Sequence, residues 1–116
     1  MEDNKAIVQK IAEIFSTGDI PEVDSIFAPE YIDHQNDKRR SKNVKVDGPE
    51  EFKQIVKGAR KSLPDLRVTI ENIAIEEDKV IARFSWHSIN IKHKRETIET
   101  LLIKNGLVIE HWGVEV

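Results

Sequence analysis

Apolar residues recur at helical spacing near the start of the chain: Ile7, Val8, Ile11, Ile14 and Phe15. Asp3 or Asn4 is placed to cap that helix, and Gly18 to stop it. Asp19 then caps a second, shorter helix with Pro21 near its first position. Its apolar face is Val23, Ile26 and Phe27, and Pro29 ends it. Tyr31 to Gln35 reads as a short extended piece. Asn36 to Asp47 is polar and holds Lys38, Arg39, Arg40, Lys42 and Lys45, the composition of an exposed loop. A third helix has the clearest signals. Asp47 or Gly48 caps it, Pro49 sits in its first turn, and Glu50 and Glu51 complement the positive end of its dipole. Phe52, Ile55, Val56, Ala59 and Leu63 form one apolar stripe, and Pro64 terminates it.

Beyond Pro64 the apolar period changes to two, the period of a strand with one buried face. Leu66, Val68 and Ile70 alternate, then the phase shifts to Ile73 and Ile75, which predicts a bulge near Glu71-Asn72. Glu77-Asp78 turns the chain into a strand alternating at Val80, Ala82, Phe84 and Trp86. A polar connection, Asn90 to Lys94, leads to a strand over Thr97 to Lys104. Asn105-Gly106 is the favoured pair for a type I′ hairpin turn, and Leu107 to Val116 is the last strand. Three helices followed by an antiparallel meander define an α+β layer fold, expected as one domain over residues 1–116. A bulged, twisted sheet curls, and helices on its concave side leave a cavity at the open end.

Composition narrows the chemistry. Cysteine is absent, which excludes disulfides, thiol nucleophiles and thiolate metal sites. The net charge of −3 gives no global reason to expect nucleic acid or an anionic membrane as partner. No apolar run approaches the roughly 20 residues that span a bilayer. The acidic Met1-Glu2-Asp3-Asn4 start does not look like a signal peptide, so a cytoplasmic location is the expectation.

Five stretches carry a resemblance: Gly18-Asp19; Ala28-Pro29-Glu30-Tyr31-Ile32-Asp33-His34; Gly48-Pro49-Glu50-Glu51-Phe52; Leu63-Pro64-Asp65-Leu66; and Asn105-Gly106-Leu107-Val108-Ile109-Glu110-His111-Trp112. Together, and in this order, they resemble the SnoaL-like polyketide and ester cyclase family. That family lies in the nuclear transport factor 2-like superfamily, which also includes ketosteroid isomerase. The resemblance covers nearly the whole chain and implies a cone of three N-terminal helices packed on a curved antiparallel sheet around a pocket. Two departures stand out. Family members usually carry an acid just after the last-strand His-Trp pair, where this chain has Gly113. The connection between the second and third long strands is short and basic, through Lys92, His93, Lys94 and Arg95.

His111 is the foremost candidate for catalysis. Strict alternation puts Ile109, His111 and Gly113 on one strand face and Val108, Glu110, Trp112 and Val114 on the other. The resemblance implies that the His111 face looks into the pocket, where an imidazole can shuttle protons near neutral pH. The plainer alternative is a hydrogen-bonded structural histidine. The resemblance also places His34 in the cavity lining, as a helper across the pocket. If the segment is extended, Ile32 shares its face while Tyr31 and Asp33 point the other way, and a kink would let Asp33 orient an imidazole. Further pocket candidates are Tyr31, Arg83, Trp86, Glu99 and Gly113. Arg83 would meet an anionic ligand if its face is concave, and would be a solvated charge if convex. Trp86 and Phe84, on the apolar side of their strand, serve as core or dimer contacts or as stacking platforms. Glu99 enters the pocket if Thr97 and Leu101 do, with Ile98 and Leu102 competing for that face.

No metal site and no cofactor are expected, because Asp33 and His34 are adjacent and do not share a face. The basic stretches 38–45 and 92–95 read as solvated loops, or as a rim that draws in an anion. They lack the interleaved aromatics that RNA binding would need. The resemblance implies acid–base chemistry on a small, mostly apolar organic molecule: cyclisation, isomerisation or hydrolysis. The alternatives from other classes are a non-catalytic small-ligand binding module and a protein-interaction module of the same fold. A homodimer is expected through the outer sheet face, with Trp112, Val114 and Val108 on one side.

Overall fold

A computed structural model describes residues 3–34 and 48–116. The polar stretch from Asn36 to Asp47, with its basic residues 38–45, lies outside the described residues. Helix α1 spans Asn4–Thr17. The Asp3 carboxylate accepts from the Ala6 amide at its start, and Gly18 closes it at φ 77°, a left-handed conformation that favours glycine. A 3-10 turn over Ile20–Glu22 leads into the one-turn helix α2, Val23–Ile26. Helix α3 spans Pro49–Ser62 from a Gly48 cap.

Five strands follow or intervene: β1 Phe27–Asp33, β2 Arg67–Glu76, β3 Lys79–His87, β4 Arg95–Lys104 and β5 Leu107–Glu115. They form one sheet in the order β1-β5-β4-β3-β2. The meander β2 to β5 is antiparallel, with the register shift falling between Ile70 and Asn72 as the apolar phase change predicts. Asn105 and Gly106, at φ 54° and 76°, make the tight hairpin between β4 and β5. Among the described residues no helix is long and apolar enough to cross a membrane.

Three local expectations are corrected. The second helix does not run to Pro29. It ends at Ile26, and Phe27 to Asp33 becomes an edge strand running parallel to β5. Proline is tolerated there because an edge strand leaves amide positions unpaired. Asp19 precedes the 3-10 turn without a side-chain capping bond. Strict alternation also fails in β5. Leu102 pairs with Glu110 and Ile103 with Val108, so Ile109 is the extra residue of a bulge. The phase resets across it, and both Val108 and His111 turn inward.

Helices α1 and α3 cover the concave face, and one apolar cluster joins them to the sheet. Phe15, Phe27, Tyr31 and Phe52 meet as stacked and edge-to-face rings at the centre. Arg60 of α3 holds the frame together. Its guanidinium donates to the carbonyls of Phe15 and Ser16 at the end of α1, and to those of Pro64 and Leu66 in the turn before β2. These bonds satisfy helix-end carbonyls that have no partner within their own helix. Asp65 ties the same turn to the β3–β4 connection by accepting from Ser88 Oγ and the Ile89 amide, and those bonds hold its carboxyl below the usual range.

Arg60→Ala is expected to lower stability by about 2 kcal/mol, since hydrogen bonds from charged groups contribute on that order. Urea denaturation checks this. An unchanged midpoint would show that water replaces the guanidinium at no cost.

Candidate functional site

A cavity of about 530 Å³ opens between α3 and strands β3 to β5, a size that suits a small organic ligand. Phe15, Phe52, Ile55, Leu63, Leu66 and Trp86 give it apolar walls. Its polar end is built by three adjacent strands. Asp33 of β1 and His111 of β5 are register partners on parallel strands, so both side chains take the inward face. Glu99 comes from β4, on the other side of β5. Val80, Ala82 and Phe84 of β3 set the inward phase, and Thr97, Glu99, Leu101 and Ile103 of β4 follow it.

His111 therefore lies between two carboxylates. Its Nδ1 is 3.0 Å from Asp33 Oδ2, and its Nε2 is 2.8 Å from Glu99 Oε1. Burial alone would push the imidazole pKa down. The hydrogen bonds and negative charges of Asp33 and Glu99 outweigh burial and hold it at about 9. At neutral pH the ring is an imidazolium donating from both nitrogens. Tyr31 closes the back of the site: its hydroxyl donates to Asp33 Oδ2 at 2.7 Å and lies 3.4 Å from His111 Nδ1. Burial, followed by the charge and hydrogen bond of Asp33, raises the Tyr31 pKa well above its ordinary value, so it stays a neutral donor. Arg95 and Glu115 pair at 2.8 Å on the cavity rim. The four residue steps along β4 from Arg95 to Glu99 span about 13 Å from rim to floor.

The candidate residues are thus sorted. His111, Glu99 and Trp86 line the cavity, with Trp86 Nε1 donating to Thr97 Oγ1 at 2.8 Å. Tyr31 is buried behind Asp33. Gly113 is the cross-strand partner of Glu99. Two positions go the other way. His34 turns to the outer sheet face, where its Nε2 donates to Glu110 Oε1 at 3.0 Å and its ring stacks on Trp112 at 4.7 Å. It cannot assist His111 across the pocket, because β1 alternates and Asp33 takes the inward direction. Arg83 is exposed on the convex face, 4.0 Å from Glu96, where it meets solvent rather than a buried anion. Sequence reasoning reached Asp33 only through a possible kink. The signal that places it is the parallel β1–β5 register, which no local pattern carries. The two carboxylates sit at opposite ends of the imidazole, and among the described residues no group of three His, Asp or Glu side chains converges as a metal site.

A helix-covered, curled sheet of this order defines an α+β fold of the nuclear transport factor 2-like kind. The chain belongs to the SnoaL-like polyketide cyclase family, whose model matches residues 5–115. Among solved structures it is similar to a Bacillus cereus protein provisionally named a polyketide cyclase, at 26% identity and TM-score 0.80, covering 94% of this chain and 71% of that one. It is also similar in fold to IdmH of Streptomyces antibioticus, likewise provisionally named a polyketide cyclase, at 17% identity and TM-score 0.83, covering 98% and 92%. A nuclear transport factor 2-like protein of unknown function from Cytophaga hutchinsonii shares the fold at 7% identity and TM-score 0.72, covering 100% and 92%. No curated protein sequence matches the chain.

The raised His111 pKa fixes the sign of a pH effect. The imidazolium is favoured in the folded state, so its contribution is complete below the ordinary pKa of 6.5 and is lost as pH rises through about 9. The loss is expected to be of order 3 kcal/mol by the linkage relation. Denaturation between pH 6 and pH 10, with the His111 ring resonances followed by NMR, tests it. A His111 midpoint below 7 would contradict the paired-imidazolium geometry.

Proposed function

We propose that this domain binds a small, mostly apolar organic molecule in the cavity and performs metal-free acid–base chemistry on it, of the cyclisation, isomerisation or hydrolysis type. The observation that carries this reading is the buried Asp33–His111–Glu99 chain at the cavity floor. Taking three ionisable groups out of water is costly, and such clusters in clefts mark sites where protons are handled. His111 stores the proton, Asp33 holds its ring in place, and the Glu99 carboxylate passes protons between Nε2 and the ligand. The apolar walls exclude water from the reacting end. Convergent polar groups in an open cavity also argue against a filled-core interaction module.

One observation favours a second reading, a non-catalytic binding module. Both imidazole nitrogens are already engaged, and Gly113 adds no acid beside Glu99. Native mass spectrometry of the purified protein identifies a retained ligand, and turnover of that compound separates the two readings. His111→Gln is expected to reduce turnover by at least about a hundredfold with the fold intact. Unchanged turnover, or binding of the compound without conversion, would favour the binding module.

We further propose a homodimer formed through the outer sheet face. Trp112 and Val114 are 38% and 62% exposed, and Ile32 and Ile81 are exposed on the same convex side, without the Val108 expected there. A contiguous apolar face of this kind marks an interface. Light scattering at micromolar concentration is expected to show a dimer that Trp112→Glu dissociates. A monomeric wild type would refute it.

A further inference from the structure

At the polar end of the cavity the His111 ring donates to both Asp33 and Glu99, so both of its nitrogens are committed. Among the described residues the other cationic group on the lining, Arg95, is held by Glu115 at the rim, 2.8 Å away. The Trp86 indole N–H is committed to Thr97. Glu99 is the group left incomplete. It is 5% exposed, its Oε1 accepts from His111, and its Oε2 is buried with no hydrogen-bond partner among the described residues. A buried carboxylate oxygen without a donor is costly, and a donor brought by a ligand removes that cost. A ligand anion would instead set a like charge against the Glu99 carboxylate, and among the described residues the cations on the lining, His111 and Arg95, are already engaged.

We infer that the ligand's polar end is a neutral or cationic proton donor, a hydroxyl or an ammonium group, bound by the Glu99 carboxylate, and that carboxylates, sulfates and phosphates are excluded from the floor. The body of the ligand is apolar, to match Phe15, Phe52, Ile55, Leu63 and Trp86. Compounds of this class are alcohols, phenols and amines on a compact hydrocarbon frame. A small rotation of the Glu99 carboxyl presents Oε2 to the donor while His111 keeps Oε1. The inference rests on the reading of the cavity as a ligand site, and does not require that the ligand be turned over.

Three probes on one frame test it: cyclohexylmethylamine, cyclohexylmethanol and cyclohexanecarboxylate, each titrated against the whole protein at pH 7. The two tryptophan indole N–H resonances report the result. Trp86 lines the cavity, while Trp112 stands on the outer face and serves as the control. The amine and the alcohol are expected to shift Trp86 alone, with the amine binding at least about tenfold more tightly than the carboxylate. In Glu99→Gln the amine and carboxylate should become level. The inference is overturned if the carboxylate binds as tightly as the amine, if the amine preference survives Glu99→Gln, or if no probe shifts Trp86 at tens of millimolar. Because the readout is binding alone, it can fail while the acid–base reading survives a turnover assay with His111→Gln, and the reverse also holds.

Discussion

The parallel pairing of β1 with β5 is the constraint on which the site depends. An imidazole buried at the floor of an apolar cavity is unstable as a cation unless negative groups flank it. The flanking groups come from the two strands on either side of β5: Asp33 from β1 and Glu99 from β4. Detaching β1 would carry Asp33 and Tyr31 away together and leave His111 with Glu99 as its one carboxylate partner. The edge strand is therefore as much a part of the site as the histidine itself, although it contributes little to the sheet's extent.

The same pair of strands carries a second histidine arrangement on its other face. Inside, Asp33 meets His111; outside, His34 meets Glu110 and stacks on Trp112. Neighbouring residues on one strand necessarily serve opposite faces, so Asp33-His34 and Glu110-His111 divide cleanly between cavity and convex surface. The inner set is buried, with the imidazole held between two carboxylates. The outer set is half-exposed and borders the exposed apolar residues Ile32 and Val114.

The bulge at Ile109 lets one strand serve two purposes. Before it, Val108 packs in the apolar core opposite Ile103. After it, His111 faces the cavity opposite Leu101. Without the extra residue, Val108 and His111 would take opposite faces, and placing the histidine inside would expose the valine. The frame that keeps this geometry in place is set at the far end of the cone, where Arg60 locks α3 to the end of α1 and to the turn before β2. The length of α3 between that lock and Phe52 forms one wall of the cavity.

Local signals in the sequence determined the elements other than the edge strand Phe27–Asp33. The Ile7–Phe15 and Phe52–Leu63 stripes, the Asp3, Gly18 and Gly48 caps, the phase change after Ile70 and the Asn105-Gly106 turn all act over a few residues, and each appears where its chemistry requires. Those signals also sufficed for the layer order and, through the resemblance, for the family. The facing of the site residues was decided only in three dimensions. The alternating sets Thr97–Ile103 and Ile98–Leu102 each hold two large apolar residues, so alternation within β4 could not choose between them, and the phase was set by pairing with β3. Arg83 went outward because its neighbours Ala82 and Phe84 pack in the core, and His34 because its neighbour Asp33 takes the inward place beside His111. Asp33 joined His111 across a sequence separation of 78 residues. Hydrophobic periodicity is a property of neighbouring residues, whereas the environment of an ionisable group is made by strands that meet only when the sheet closes.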